Sequence, residues 1–210
     1  MNNTVTDEIL SIINNFIVEK DTNKSLEDFI QKGKNPISYL TDTSKDRDTP
    51  MLESNIQVFN ADILKDIYSS MMHFRDKPRS VDAIFKFSNN KIYFIEFKNG
   101  NLNEKYGDNL IDIHKKAYDT LLMLLEMNII KGMIESNTKI TFILVYNDIN
   151  CYNDSRDNIY EELNRKKTDY RNDNLLKVDL LKRAVFFDSF AIDRDDFINY
   201  IIPELEGEER

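Results

Sequence analysis

Residues 81–98 read VDAIFKFSNNKIYFIEFK. Two runs rich in β-branched and aromatic residues, 81–87 and 91–98, flank the turn-forming cluster Ser88-Asn89-Asn90, which predicts a β-hairpin centred near Asn89. With that centre, Asp82 falls directly opposite Glu96. Side chains alternate between faces along a strand and cross-strand partners share a face, so Asp82, Glu96 and Lys98 gather on one side, with ~5 Å between the β-carbons of the acid pair. All three meet at the open end of the hairpin.

Two carboxylates held that close repel unless a cation lies between them, and hard oxygen ligands suit Mg²⁺ or Mn²⁺ rather than zinc. Such an ion can acidify a bound water, orient a phosphate and neutralise charge as the phosphorus is attacked. A lysine on the same face can stabilise the hydroxide or the developing phosphoryl charge. These parts suffice for phosphodiester hydrolysis.

Outward from the hairpin, residues 50–72 predict a helix, with Thr49 as N-cap, Pro50 as first helical residue and an apolar stripe through Leu52, Ile56, Phe59, Ile63, Ile67 and Met71. A glycine-punctuated loop follows Lys98, then a long helix over 109–130 capped by Asp108. KITFILVY, 139–146, is a nearly continuous apolar run, as expected of a strand covered on both faces. Strand, helix, strand is the βαβ pattern, so 91–98 and 140–146 are expected to be parallel neighbours. Helices are also expected at 6–20 and 25–31, with 41–49 a polar loop. In the C-terminal extension, 150–210, we expect a helix at 157–166, mixed structure over 172–182, a short strand at 184–188 and a last helix over 193–202.

The chain has 210 residues, of which 41% are apolar and 31% charged, and this is expected to fold as one domain with its core at about 50–146. No apolar run approaches the ~20 residues of a membrane span, and the opening MNNTVTDEIL lacks the features of a secretory leader, so a cytoplasmic protein without membrane contact is expected. One cysteine and two histidines exclude an internal disulfide and leave a zinc centre short of ligands. The net charge of −9 argues against a general electrostatic grip on nucleic acid, which would have to come from a local basic cluster or a partner subunit.

VDAIF followed at short spacing by IYFIEFK resembles the signature of the PD-(D/E)xK nuclease superfamily, to which restriction endonucleases, Holliday-junction resolvases and lambda-type exonucleases belong. The resemblance covers roughly 50–146 and implies an α/β fold: a restriction-endonuclease-like αβββαβ core with a central mixed sheet flanked by helices. It implies Asp82 and Glu96 as metal ligands, Lys98 as the catalytic lysine, Mg²⁺ or Mn²⁺ as cofactor, nucleic acid, with DNA foremost, as substrate, and a homodimer as one form of the enzyme. Val81 stands where the pattern usually has proline, and only two good strands precede the long helix where three are expected, the third falling in 72–80 or being degenerate. An acidic residue of the first core helix often helps bind metal in that superfamily; Glu53 is the best match and Glu8 the poorer one.

The long helix carries His114, Lys115 and Lys116 in its first turns, and by the same resemblance Lys115 or Lys116 could contact a substrate phosphate, although exposed lysines are ordinary on an amphipathic helix. With Arg75, Lys77, Arg79 and Lys105 they could form a basic rim. A plainer reading of Asp82, Glu96 and Lys98 is a solvated ion pair; against it, apolar neighbours such as Ile84 and Phe94 make the hairpin look buried. The rival function is a nuclease-like binding module without turnover that engages a protein partner or mimics DNA.

Overall fold

The computed structural model describes residues 3–46, 49–99, 106–131, 139–147, 171, 177–182 and 185–209. Helices α1 (Asn3–Lys20) and α2 (Leu26–Ile30) lead into strand β1 (Ile37–Tyr39), the short helix α3 (Leu40–Thr43) and a small ribbon of β2 (Lys45–Asp46) and β3 (Thr49–Pro50). Strand β4 (Gln57–Asn60), helix α4 (Ala61–Met71), strands β5 (Ala83–Lys86) and β6 (Lys91–Lys98), helix α5 (Tyr106–Glu126) and strand β7 (Lys139–Tyr146) follow. Helix α6 (Asp179–Lys182), strand β8 (Asp188–Asp193) and a C-terminal helical segment, α7, from Arg194 to Glu209, complete the described chain.

The main sheet has the order β1-β4-β5-β6-β7-β8. It is antiparallel from β1 to β6 and parallel from β6 to β8, which makes the protein α/β with a mixed sheet. The sheet alternates along β6. Its odd positions face α7, where Phe97 stacks edge-on with Phe197 and the Tyr93 hydroxyl donates to Glu204 at 2.8 Å. Its even positions face α1, α4 and α5: Ile9, Leu64 and Leu124 close over Ile84 and Ile92 in one apolar cluster. The sheet is therefore buried on both sides, which explains the apolar run of β7, seven of whose eight residues are buried.

Between β5 and β6 the loop 88–90 closes as the sequence reading expects. Phe87 N–H donates to Lys91 at 2.8 Å, and Asn90 adopts a left-handed φ of 65°, a conformation asparagine tolerates. The resulting register pairs Ala83 with Ile95 and Lys86 with Ile92. One more step of the same register sets Asp82 against Glu96.

The expected helix over 50–72 is corrected. Only Ala61–Met71 is helical; Gln57–Asn60 is a strand and Thr49–Pro50 pairs with Lys45–Asp46. Leu52, Ile56, Phe59 and Ile63 happen to fall at helical spacing, but Val58 and Phe59 fit a pleated, buried surface. Asn60, not Thr49, is the N-cap, its side chain accepting from Ile63 N–H at 3.1 Å. A further strand, β4, pairs antiparallel with β5 and lies upstream of α4 rather than in 72–80. Strand β1 and helix α3 lie where no regular element or only a polar loop is expected, and both are too short for periodicity to show. The last strand is 188–193 rather than 184–188, and Asp193, expected inside the last helix, caps it by accepting from Asp195 and Asp196 N–H. That helix passes Pro203 through a π turn over Phe197–Ile201, in which Ile202 N–H bonds the Phe197 carbonyl; a proline removes a donor and crowds the preceding turn. The helix expected at 157–166 lies outside the described residues.

Candidate active site

Asp82 ends the extended approach to β5, and its position is fixed from both sides. Its N–H donates to the Ile95 carbonyl at 3.1 Å, and its Oδ2 accepts from Phe97 N–H at 2.6 Å. Glu96 and Lys98 are the sixth and last residues of β6, both on the face that α5 covers. The sheet therefore brings together the three residues that the hairpin reading places side by side.

Helix α5 completes the cluster through a polar stripe at i, i+4, i+8. Asp112 Oδ2 lies 3.6 Å from Lys98 Nζ; Lys116 Nζ lies 2.7 Å from Glu96 Oε1 and 3.7 Å from Asp82 Oδ1. Thr120, fully buried, accepts from Val81 N–H at 3.0 Å and so ties the helix to the entry of β5. Lys98 Nζ is 3.5 Å from Glu96 Oε1, and Arg79 pairs with Asp112 at the outer edge. Ile113, Ala117, Leu121 and Leu124, on the adjoining stripe, are buried and seat the helix on the sheet.

Burial makes this cluster electrostatically tense. Glu96 has no exposed surface, whereas Asp82, Lys98 and Lys116 keep 21%, 24% and 20% of their side chains exposed. Desolvation, with Glu96 beside it, pushes the Asp82 carboxyl well above the usual carboxylate range, and Lys116 only partly offsets this. Desolvation raises Glu96 in the same direction against the pull of Lys116 and Lys98. Desolvation works against the Lys116 ammonium, but Glu96 and Asp82 outweigh it and hold its pKa above the ordinary lysine value. Glu96 Oε2 is buried and, among the described residues, has no hydrogen-bond partner.

The cluster opens on the Asp82 side, into a cleft of about 250 Å³ lined by Thr43, Ser44, Lys45, Asp82, Lys98 and Asn99 among others. A larger cleft of about 540 Å³ lies between Tyr68, Phe74, Leu122 and Glu126; it is mostly apolar and does not reach the acid pair. Among the described residues no group of three or more His, Cys, Asp or Glu side chains converges as a metal site. Asp82 and Glu96 can offer a divalent ion two carboxylates, including the orphaned Glu96 oxygen, with water filling the remaining positions. That donor set suits Mg²⁺ or Mn²⁺, which keep several waters.

Glu53 is exposed in the irregular stretch before β4 and does not head α4; the acid in the first turn of that helix is Asp62. Asp62 accepts from Ser80 at 2.7 Å and acts electrostatically on both Asp82 and Lys116. Glu8 pairs with Lys86 at 3.7 Å, at the turn end of the hairpin, away from the acid pair. Of the two helix lysines, Lys115 is exposed and Lys116 enters the cluster. His114 Nε2 is buried without a partner among the described residues. Sequence reading does not single out Asp112 and Thr120, although their spacing with Lys116 on an otherwise apolar-flanked helix is the signal that finds them.

Among the described residues no helix is long and apolar enough to cross a membrane. The chain matches no known protein-family model, no curated protein and no solved structure.

Proposed function

We propose that this protein is a metal-dependent nuclease of the PD-(D/E)xK kind that hydrolyses phosphodiester bonds, with DNA the first substrate to test. The observation that carries the reading is the convergence of buried Glu96 with Asp82 and Lys98, which line a cleft, one Glu96 oxygen having no hydrogen-bond partner among the described residues. The topology supports it too: β4, β5 and β6 are antiparallel neighbours and α5 crosses to β7 parallel to β6, an order compatible with αβββαβ once α2, β1, α3, the β2–β3 ribbon and α4 are set aside as additions.

In this scheme Asp82 and Glu96 would hold the divalent ion, which would supply an acidified water and neutralise phosphate charge. Lys98, at the cleft and 3.5 Å from Glu96, stabilises the attacking hydroxide or the phosphoryl oxygens. Asp112 and Arg79 hold Lys98 in place from α5 and from the segment before β5. Lys45 and Lys98 are the cations among the residues lining the cleft; Lys45 pairs with Asp42 at 2.6 Å, and a substrate phosphate would compete with that pair.

The test is cleavage of single-stranded, double-stranded and branched DNA and of RNA in Mg²⁺ or Mn²⁺, comparing wild type with Asp82→Ala and Lys98→Ala. Loss of activity in both variants is expected; equal activity in all three proteins refutes the assignment. A second reading, a binding module without turnover, is favoured by the seat of Lys116 between the acids and by the acidic net charge. Thermal stabilisation by Mn²⁺ that vanishes in Glu96→Ala distinguishes the enzyme from that module.

A further inference from the structure

We infer that Lys116 is the resident counter-cation of the Asp82–Glu96 pair, seated where the divalent ion would bind, so that ion loading requires its release. This rests on the metal-centre reading above and adds a role for a residue outside the hairpin. A fully buried carboxylate needs a compensating charge, and Lys116 at 2.7 Å supplies it to Glu96 while reaching Asp82 at 3.7 Å. Lys98 is a poorer substitute: it lies 3.5 Å from the same Glu96 oxygen and is shared with Asp112 at 3.6 Å.

Lys116 satisfies one Glu96 oxygen and leaves Oε2 without a partner among the described residues, whereas a divalent ion can draw on both carboxylates at once. An ammonium and a divalent ion cannot share that space, because like charges within ~4–6 Å disfavour each other. Lys116 arrives from α5 on a flexible four-carbon stem and is already one-fifth exposed, so its head can swing toward the cleft without moving the helix. Lys116 is thus a positioning residue: it keeps the two acids together until the ion replaces it.

The experiment measures Mn²⁺ affinity of the full chain by calorimetry for wild type, Lys116→Met, Lys116→Arg and Glu96→Gln, with melting in EDTA and in Mn²⁺. Lys116→Met is expected to bind Mn²⁺ at least tenfold more tightly than wild type, to melt lower in EDTA, and to gain more from Mn²⁺. Lys116→Arg, which keeps the charge, is expected to bind no more tightly than wild type. In the wild-type chain, acetylation of Lys116 followed by mass spectrometry is expected to rise several-fold in saturating Mn²⁺, which decides the matter even if Lys116→Met does not fold.

Mn²⁺ affinity in Lys116→Met equal to or below that of wild type, or acetylation unchanged by saturating Mn²⁺, overturns the inference. If wild type binds Mn²⁺ through Glu96 and only these results fail, the metal-centre reading stands and Lys116 alone loses its role. If no form binds Mn²⁺, both fall, and Lys116 is a permanent structural partner of the acids.

Discussion

Replacing Asp82 by asparagine removes that residue's share of the electrostatic load of the site with little change in side-chain size, and its effect on stability has a definite sign. In the folded chain, desolvation and then the neighbouring Glu96 raise the Asp82 pKa from 3.8 to about 8. The unfolded chain releases that proton near 3.8, so between these two values the folded state binds more protons and stability falls as pH rises. At about 1.4 kcal/mol per pH unit the gap sets a ceiling of roughly 6 kcal/mol, and since solvent reaches one-fifth of the side chain we expect about 2–3 kcal/mol. Glu96, which desolvation raises in the same direction, adds to the same slope, so the slope belongs to the acid pair; Asp66 and Asp188, which ion pairs hold below the ordinary value against desolvation, titrate beneath that window. The assay is urea unfolding in EDTA at pH 5 and pH 8. Wild type is expected to be the less stable at pH 8, and Asp82→Asn to be flatter with pH and more stable than wild type at pH 8. A wild type equally or more stable at pH 8, or an Asp82→Asn variant with the wild-type slope, refutes the reasoning.

Thr120→Val strands the Val81 N–H, to which the buried hydroxyl is bonded at 3.0 Å, and is expected to cost about 1–3 kcal/mol in denaturant unfolding. Because that bond ties α5 to the entry of β5, on the proposed nuclease reading the same variant is expected to lose cleavage activity beyond what its stability loss explains, measured at a temperature where it remains folded. Asn60→Ala, which removes the cap of α4, is expected to lower stability by about 1 kcal/mol in the same assay, whereas Thr49→Ala, outside any helix, should change it little.

The elements that carry the acid pair are legible because they are local. The turn at Ser88-Asn89-Asn90 sets the register, and the register alone makes neighbours of Asp82 and Glu96. The apolar run of β7 and the stripe of α5 announce burial and the crossover for the same reason. Four-residue β4 escapes a reading by period because Leu52, Ile56, Phe59 and Ile63 fall at helical spacing, while Gln57–Asn60 is too short to show a two-residue period of its own. Glu53 took its proposed role from that misreading; with α4 beginning at Ala61, the first-turn acid is Asp62.

What sequence by itself determined here is the pairing of two acids and a lysine across one hairpin, together with a covered α/β sheet. Only the tertiary structure decided which of Lys115 and Lys116 turns inward, that Asp112 and Thr120 flank it, and that Glu96 is sealed while Asp82 meets a cleft. The reason is physical: strand register is fixed by bonds between residues close along the chain, whereas the angle at which α5 lies over β6 depends on the packing of Ile113, Ala117, Leu121 and Leu124 against distant strands.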